Sequence, residues 1–239
     1  MQLLVSVRSA AEAAAALAGG ADIVDTKDPM AGALGPVSID VLMSVVATVN
    51  GATPVTAALG DAVDGDAIER DAAAFVGGGA VWVKVGFGYT AGRTDMETML
   101  AAAARGAGLA RVIAVAYADH DRAGAPAPAD VLEAAARAGI AGVLIDTADK
   151  DGPGLTTLMA PQALAAWVDA ARRLGLITAV AGKLTAADLT RVRDAGADIA
   201  GVRGAACEGG RTGRISAERV RQLGAVLSPE RQPLAAPAS

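Results

Sequence analysis

The sequence predicts an α/β fold, a (β/α)8 TIM barrel formed by a single domain. Short apolar segments alternate eight times with segments of helical character, and no stretch is left over between them. Apolar strands that alternate with helices indicate a parallel sheet covered by helices. Eight such units within 239 residues favour closure into a barrel. No Gly-x-Gly-x-x-Gly motif follows the first strand, which argues against an open dinucleotide-binding sheet.

The first four units are delimited by turn and capping residues. Ser9 followed by Glu12 has the spacing of a capping box, and Gly19-Gly20 ends the helix that they begin. The second strand ends at Lys27, and Pro29 prevents it from continuing. We predict strands at residues 3–7, 21–27, 54–59 and 80–86, and helices at residues 9–17, 37–49, 67–76 and 95–107.

The last four units follow the same pattern. Pro128 and Pro161 are each placed to begin a helix, and Thr185 is placed to cap one. We predict strands at residues 111–118, 142–146, 177–182 and 198–202, and helices at residues 128–138, 161–174, 185–195 and 217–227. The catalytic domain is therefore expected to span residues 1–227. Residues 228–239 are rich in proline and alanine and are expected to form a disordered tail.

Composition and charge exclude several classes of function. The net charge is −5 and the basic residues are scattered, so we expect no nucleic-acid partner. No apolar run approaches the roughly 20 residues that span a bilayer, and the amino terminus does not have the pattern of a signal peptide. Cys207 is the single cysteine and His120 the single histidine, a composition that provides neither a disulfide framework nor metal-ligand spacing. We expect a cytoplasmic protein with no membrane partner and no metal.

The lysines are the first candidates for catalytic residues. Only four of the 21 basic residues are lysines, and all four lie at or after the ends of predicted strands: Lys27, Lys84, Lys150 and Lys183. Arginine can replace lysine as a solvating charge but cannot act as an amine nucleophile. Because catalytic groups of barrels lie at the carboxyl ends of the strands, we expect the four amines to share one end of the barrel. Independent salt bridges are the alternative interpretation.

Two aspartates are expected beside these amines. Side chains alternate along a strand, so Asp25 lies on the same face as Lys27, and Asp146 ends strand six at the same rim. A buried ion pair between Asp25 and Lys27 would explain the first of them without catalysis. The excess of amines over carboxylates nevertheless predicts an anionic ligand such as a phosphate or carboxylate.

A phosphate site is expected after strands seven and eight. Barrels often bind phosphate there through backbone amides of glycine-rich loops. Gly182 and Lys183 follow strand seven, and Arg203 and Gly204 follow strand eight. We predict these four residues to bind substrate phosphate; a flexible turn is the alternative for the glycines beyond them. Two phosphate-bearing substrates would require a second site, which we expect on the side of Lys84 and Lys150.

Several segments of the chain resemble the (5-formylfuran-3-yl)methyl phosphate synthase family. The segments that carry the resemblance are Gly19-Gly20-Ala21-Asp22-Ile23-Val24-Asp25-Thr26-Lys27-Asp28-Pro29, Val83-Lys84-Val85-Gly86, Leu144-Ile145-Asp146-Thr147-Ala148-Asp149-Lys150-Asp151-Gly152 and Gly201-Val202-Arg203-Gly204-Ala205. The resemblance implies a TIM-barrel lyase that condenses two glyceraldehyde 3-phosphate molecules into a furan phosphate for methanofuran-type carriers. It also implies that Lys27 forms the Schiff base and Lys84 accepts the proton, and it places Asp25, Asp146 and Lys150 in the active site.

The chemistry that such a condensation requires agrees with these residues. Joining two triose phosphates requires a carbon nucleophile, which an iminium on a lysine provides. Desolvation and neighbouring ammonium groups favour the neutral amine, and carboxylates can move protons during dehydration. No metal or organic cofactor is needed. The alternatives are another class I aldolase, a phosphosugar isomerase, or a non-catalytic phosphosugar-binding barrel. Triose phosphates are the expected partners, and the sequence permits a homo-oligomer without deciding it.

Overall fold

The computed structural model describes residues 1–88 and 93–227 of the chain. The tail predicted for residues 228–239 lies outside these described residues. No helix in the described part of the chain has both the length and the apolar character needed to cross a membrane.

Eight parallel strands close into a barrel. Each strand pairs with the next one along the chain, and the last strand pairs with the first. The strands are β1 (Gln2–Val7), β2 (Ile23–Thr26), β3 (Val55–Asp61), β4 (Trp82–Gly86), β5 (Arg111–Tyr117), β6 (Gly142–Asp146), β7 (Ile177–Val180) and β8 (Ile199–Val202). The predicted (β/α)8 fold is confirmed, and the strand ends differ from the predicted ones by only a few residues.

A principal helix follows each strand. The chain's helices are α1 (Ala10–Ala18), α2 (Ile39–Val49), α3 (Gly65–Gly77), α4 (Arg93–Ala107), α5 (His120–Ala123), α6 (Pro128–Arg137), α7 (Leu155–Leu158), α8 (Pro161–Arg173), α9 (Ala186–Asp194) and α10 (Ala217–Leu227). Ser9 caps α1 by accepting the Glu12 N–H, as the sequence predicted. The single-turn helices α5 and α7 were not predicted, because four residues are too short to show a helical period.

The strand alternation separates two apolar regions. One set of strand side chains points outwards and packs against the helices; it includes Leu3, Val5 and Val83, all fully buried. The other set points into the barrel and includes Leu4, Ile23 and Leu144. Farther along these same strands, the inward positions change from apolar to polar. The barrel therefore has an apolar interior below and a charged end above, where its strands terminate.

A short hairpin follows β8 and was not predicted. A 3-10 helix at Gly204–Ala206 leads into β9 (Cys207–Glu208), which pairs antiparallel with β10 (Arg214–Ile215). The connecting turn requires glycine at position 213, since a Cβ there would lie 1.8 Å from the Glu208 carbonyl oxygen. Strands of two residues leave no periodic signal, so the sequence indicated only a glycine-rich loop here. The hairpin extends over the rim of the barrel.

Candidate active site

All four lysines border one cavity at the carboxyl ends of the strands. The cavity has a volume of about 390 Å³ and extends into the barrel between the inward-facing side chains. Lys84 belongs to β4, Lys27 directly follows β2, and Lys150 and Lys183 lie in the loops after β6 and β7. The expectation that the lysines share one end of the barrel is confirmed.

Lys84 is paired with Asp25 inside the barrel. Its Nζ lies 2.5 Å from Oδ1 of Asp25, and both side chains are buried. Ser6 on β1 and Thr56 on β3 stand opposite Asp25 in the register, one on each side of β2. Thr56 donates its hydroxyl to Oδ1 of Asp25 at 2.7 Å, and Ser6 donates to Oδ2 at 3.0 Å. Both oxygens of Asp25 are therefore occupied by protein groups.

Asp146, at the end of β6, has one occupied and one unoccupied oxygen. Its Oδ1 accepts hydrogen bonds from Nζ of Lys150 at 2.6 Å and from the backbone N–H of Thr147 at 2.7 Å. Its Oδ2 is buried and has no hydrogen-bond partner in the part of the chain that the structure describes. This oxygen lies 4.0 Å from Nζ of Lys27. Asp146 can therefore accept a proton or a hydrogen bond from a ligand in the cavity.

Lys27 is held less tightly than Lys84 and Lys150. Its side chain is 10% exposed, and besides Asp146 its amine has the carbonyl oxygen of Ala33 at 3.5 Å. Asp25, which would be the partner of Lys27 if the two formed the ion pair of the alternative interpretation, instead pairs with Lys84. The Lys27 amine is thus close to a carboxylate but not in direct contact with it. A nucleophilic amine needs this freedom, because it must approach the carbonyl carbon of a substrate.

Burial and charge alter the acidity of this cluster. Burial lowers the pKa of Lys84; the Asp25 carboxylate opposes this shift, and the Lys27 ammonium adds to it. Burial also lowers the pKa of Lys150, against the attraction of Asp146. For Asp146, burial opposes ionisation, but Lys150 and Lys27 together bring the pKa of its carboxyl group below the usual value. The site therefore combines an ionised carboxylate with amines that lose protons more readily than free lysine.

Backbone amides at the rim supply a candidate anion site. Within the described residues, the N–H groups of Gly182, Lys183, Gly204 and Ala205 have no acceptor. Gly182 and Lys183 both have positive φ, 108° and 57°, a backbone conformation that is uncommon for lysine and that clusters at functional sites. The exposed Lys183 side chain donates to the Gly152 carbonyl oxygen. The predicted phosphate-binding residues Gly182, Lys183 and Gly204 are thus brought to one side of the cavity.

The phosphate contact predicted for Arg203 stays a prediction, and the protein acceptors of its guanidinium bear on it. Although it borders the cavity, its guanidinium is buried and makes five hydrogen bonds to the protein. Glu12 accepts two of them at 2.8 and 3.2 Å, and the carbonyl oxygens of Ser6, Arg211 and Gly213 accept the others. Because its donors are all used, Arg203 anchors the β9–β10 hairpin to β1 and α1 rather than presenting a free cation.

Three residues of the site were not predicted. Ser6 and Thr56 could have been found, since each is a polar residue at an inward position of an otherwise apolar strand. Arg211, at the tip of the hairpin, also borders the cavity. It lies in the glycine-rich segment after strand eight, which the sequence associates with an anion site, but its position depends on how the hairpin folds back over the barrel.

Solved structures confirm the fold. A 3-hexulose-6-phosphate synthase aligns with a TM-score of 0.62 at 22% identity, covering 93% of this chain and 99% of that one. The 3-hexulose-6-phosphate synthase from Salmonella typhimurium aligns with a TM-score of 0.67 at 17% identity, covering 95% and 98%. KGPDC from Streptococcus mutans aligns with a TM-score of 0.66 at 14% identity, covering 97% and 99%. At these identities the similarity is one of fold.

Sequence comparisons give a family. The model of the 4-HFC-P synthase family matches residues 3–224. The (5-formylfuran-3-yl)methyl phosphate synthase of Methanothermobacter thermautotrophicus is 37% identical over 237 residues, covering 95% of this chain and 99% of that protein. The synthase of Methanopyrus kandleri is 38% identical over 234 residues, with the same two shares covered. The chain therefore belongs to the (5-formylfuran-3-yl)methyl phosphate synthase family.

Proposed function

We propose that this protein condenses two molecules of glyceraldehyde 3-phosphate into (5-formylfuran-3-yl)methyl phosphate, through a Schiff base on Lys27. One observation carries the proposal: the Lys27 amine lies 4.0 Å from a buried carboxylate oxygen of Asp146 that has no partner among the described residues. A nucleophilic amine beside an unoccupied proton acceptor is the arrangement that carbonyl condensation through an iminium requires. The product would supply the furan of a methanofuran-type one-carbon carrier.

The proposed reaction balances without a redox partner. Two triose phosphates contain the atoms of the furan phosphate, one inorganic phosphate and two water molecules. One carbon–carbon bond and the ring carbon–oxygen bond form, and a carbon–oxygen bond to phosphate breaks, so the enzyme would be a lyase. No electron donor or acceptor enters, and the protein has to supply only an amine, proton carriers and binding sites for anions. The cavity is bordered by groups of each kind.

Lys27 would attack the aldehyde of the first substrate. Loss of water gives an iminium, which withdraws electrons and acidifies the adjacent carbon. The neutral amine is the reactive form, and the position of Lys27, mostly buried and 4.0 Å from the nearest carboxylate oxygen, leaves it free of a tight ion pair. Deprotonation of this carbon gives an enamine, which expels the phosphate of the first substrate and leaves its third carbon nucleophilic. That carbon adds to the central carbonyl carbon of the second substrate after this molecule has isomerised to the ketose. Ring closure by the ketose hydroxyl and loss of two water molecules then give the furan. Hydrolysis of the final imine would release the product and regenerate the amine.

Lys84 would accept the proton from the acidified carbon. It borders the same cavity as Lys27, and its lowered pKa makes the neutral, accepting form more accessible than in free lysine. Asp25 holds the Lys84 amine at 2.5 Å. Since both oxygens of Asp25 are engaged by Ser6, Thr56 and Lys84, we assign Asp25 the task of orienting Lys84 and stabilising its protonated form. Asp146 is then the aspartate that would contact the substrate.

Asp146 and Lys150 would serve the dehydration steps. Oδ2 of Asp146 is available to accept a proton or hydrogen bond from a substrate hydroxyl, while Lys150 and the Thr147 N–H hold the other oxygen. Lys150, whose ammonium is 2.6 Å from Asp146, can return a proton to the departing water or phosphate. The pair thus combines an acceptor and a donor within one hydrogen-bonded unit, as consecutive eliminations require.

The substrate phosphates would bind at the rim. The free amides of Gly182, Lys183, Gly204 and Ala205 can hold one phosphate between the ends of β7 and β8, with the Lys183 ammonium beside it. Arg203 is left out of this site because its donors are occupied by the protein. The second phosphate is assigned to the side of Lys84 and Lys150, which border the same cavity. Inorganic phosphate soaked into crystals should occupy the rim amides first.

The product assay tests the proposed function. Purified protein is incubated with glyceraldehyde 3-phosphate, and furan phosphate is measured by mass and ultraviolet absorbance, together with released inorganic phosphate. The proposal predicts one phosphate per furan and a rate that depends on the square of substrate concentration below saturation. A six-carbon sugar phosphate that keeps both phosphates would indicate an aldolase. Conversion to dihydroxyacetone phosphate alone would indicate an isomerase, and no turnover would indicate a binding protein.

A further inference from the structure

Arg211 connects two loops that lie far apart in the sequence. It stands at the tip of the β9–β10 hairpin and reaches across the barrel rim towards the loop after β2. Its guanidinium donates one hydrogen bond to the carbonyl oxygen of Pro29 and another, of 2.7 Å, to that of Gly32. These contacts join residues 182 and 179 positions apart in the sequence.

The loop that Arg211 holds also holds the Lys27 amine. We call residues 28–35 the β2 loop. Its two ends are joined by a 2.8 Å hydrogen bond from the Asp28 N–H to the Gly35 carbonyl oxygen. Gly35 has no room for a side chain, since a Cβ there would lie 2.5 Å from the Asp28 carbonyl oxygen. Within the loop, the Ala33 carbonyl oxygen is 3.5 Å from Nζ of Lys27. The position of the loop therefore sets one of the two polar contacts that this amine makes with the described residues.

The hairpin that carries Arg211 is itself fixed to the barrel. The buried Arg203 donates to the carbonyl oxygen of Arg211 at 2.8 Å and to that of Gly213 at 3.4 Å. Arg203 is paired in turn with the buried Glu12 at the start of α1. A continuous set of contacts thus runs from α1 through the two arginines to the β2 loop. Since its base is rigid, the hairpin can hold the loop in one position.

We propose that Arg211 is a positioning residue for Lys27, acting through the β2 loop. The inference rests on the proposed role of Lys27 as the Schiff-base residue. Arg211 keeps the Ala33 carbonyl oxygen in place, and this oxygen together with Asp146 directs the Lys27 amine towards the cavity. A displacement of about 1 Å at a reacting group can cost about 10²-fold in rate. Loss of the two bonds to the β2 loop should therefore reduce catalysis more than binding.

Three variants of the full chain test this proposal. Arg211→Gln removes the two charge-assisted bonds, and Arg211→Lys keeps the charge and can restore one bond. Arg214→Gln is the matched control, because Arg214 is an exposed arginine of the same hairpin and its replacement removes the same charge. Hydrogen exchange of the peptide covering residues 28–35 reports on the loop without requiring turnover. Product formation gives kcat and KM, and borohydride trapping with glyceraldehyde 3-phosphate gives the rate of adduct formation.

The proposal predicts faster exchange in the β2 loop of Arg211→Gln, with kcat and the trapping rate lowered by about 10- to 100-fold and KM changed less than threefold. Arg211→Lys should be intermediate, and Arg214→Gln should match the wild type. If Arg211→Gln raises KM but leaves kcat and loop exchange unchanged, Arg211 is a substrate-binding residue and the proposal is overturned. The proposal is also overturned if Arg211→Gln changes neither kcat, the trapping rate nor loop exchange. If the wild type forms no trapped adduct, the proposed Schiff-base mechanism is refuted. If loop exchange is unchanged in Arg211→Gln, the proposed link between Arg211 and the β2 loop is refuted.

Discussion

Nζ of Lys27 lies 4.0 Å from Oδ2 of Asp146, a buried oxygen without a hydrogen-bond partner among the described residues. The second buried aspartate of the site, Asp25, has both oxygens occupied. Two carboxylates that border one cavity thus differ in their ability to exchange a proton with a ligand. One can exchange a proton with a ligand, and the other can only hold its neighbours in place. This difference underlies the first two predictions.

Asp146→Asn should separate imine formation from product formation. The amide retains the shape of the carboxylate but cannot accept a proton, so dehydration should slow by about 10²- to 10⁴-fold. Lys27 would still be able to attack the aldehyde. We therefore expect borohydride to trap an adduct in this variant while the furan product is almost absent. Product formation within threefold of the wild type would show that Asp146 is not the proton acceptor of the dehydration.

The Lys84–Asp25 pair should show strong thermodynamic coupling. Removing one partner of a buried pair leaves an uncompensated charge and costs about 3–5 kcal/mol of unfolding free energy. Lys84→Met and Asp25→Asn should each be destabilising, and the double variant should lose much less than the sum of the two. Urea unfolding of the four proteins measures the coupling. Additive losses would mean that the pair contributes little, despite its 2.5 Å separation.

The pH dependence should follow the lysines. Burial lowers the pKa of Lys84 below its usual 10.5, and the neutral form accepts the proton, so kcat should rise as the pH increases through this lowered value. Above the usual aspartate pKa of 3.8, Asp146 is already ionised and adds no second step. Lys150, the proposed proton donor, also has a lowered pKa, so its deprotonation would give a falling limb at higher pH. The absence of any rising limb between pH 6 and 9, with the protein still folded, would contradict a neutral-lysine acceptor.

Stability should depend on pH through the same groups. Lys84 and Lys150 have lowered pKa values in the folded protein, so the unfolded chain binds more protons between those values and 10.5. In that interval these two lysines make the unfolding free energy increase with pH. For Asp146 the pKa is also lowered, and its stabilising contribution is present above 3.8 and lost as the pH falls through the lowered value. Urea unfolding of wild type and Lys150→Met across pH 7–10 should show a smaller slope in the variant, and equal slopes would refute the assignment.

Arg203→Lys should act on stability rather than on anion binding. Lysine cannot reproduce the two bonds to Glu12 together with the three to carbonyl oxygens, so we expect a loss of about 2–4 kcal/mol of unfolding free energy. The concentration of inorganic phosphate that halves the rate should change less than threefold. If Arg203→Lys leaves stability unchanged and weakens inhibition by phosphate tenfold, Arg203 contacts phosphate, as the sequence predicted.

The fold and the centre of the site could be predicted because they depend on local patterns. Strand alternation places Asp25 and Lys27 on one face, and the carboxyl ends of parallel strands meet at one rim. The pairing within the cluster could not be predicted, because it depends on which side chains reach across the barrel: Asp25 pairs with Lys84 two strands away. The roles of Arg203 and Arg211 depend on a hairpin whose strands have two residues each and leave no period in the sequence.

Peptide mapping of the borohydride-reduced adduct tests the central claim most directly. Wild-type protein and the Lys27→Arg variant are incubated with glyceraldehyde 3-phosphate, reduced, digested and analysed by mass spectrometry. Arginine keeps the charge but cannot form the imine, so this variant should stay folded and lose nearly all activity. The account predicts a single modified lysine in the wild type, Lys27, and no adduct in the variant. An adduct on Lys150 or Lys84, or substantial turnover by Lys27→Arg, would contradict it.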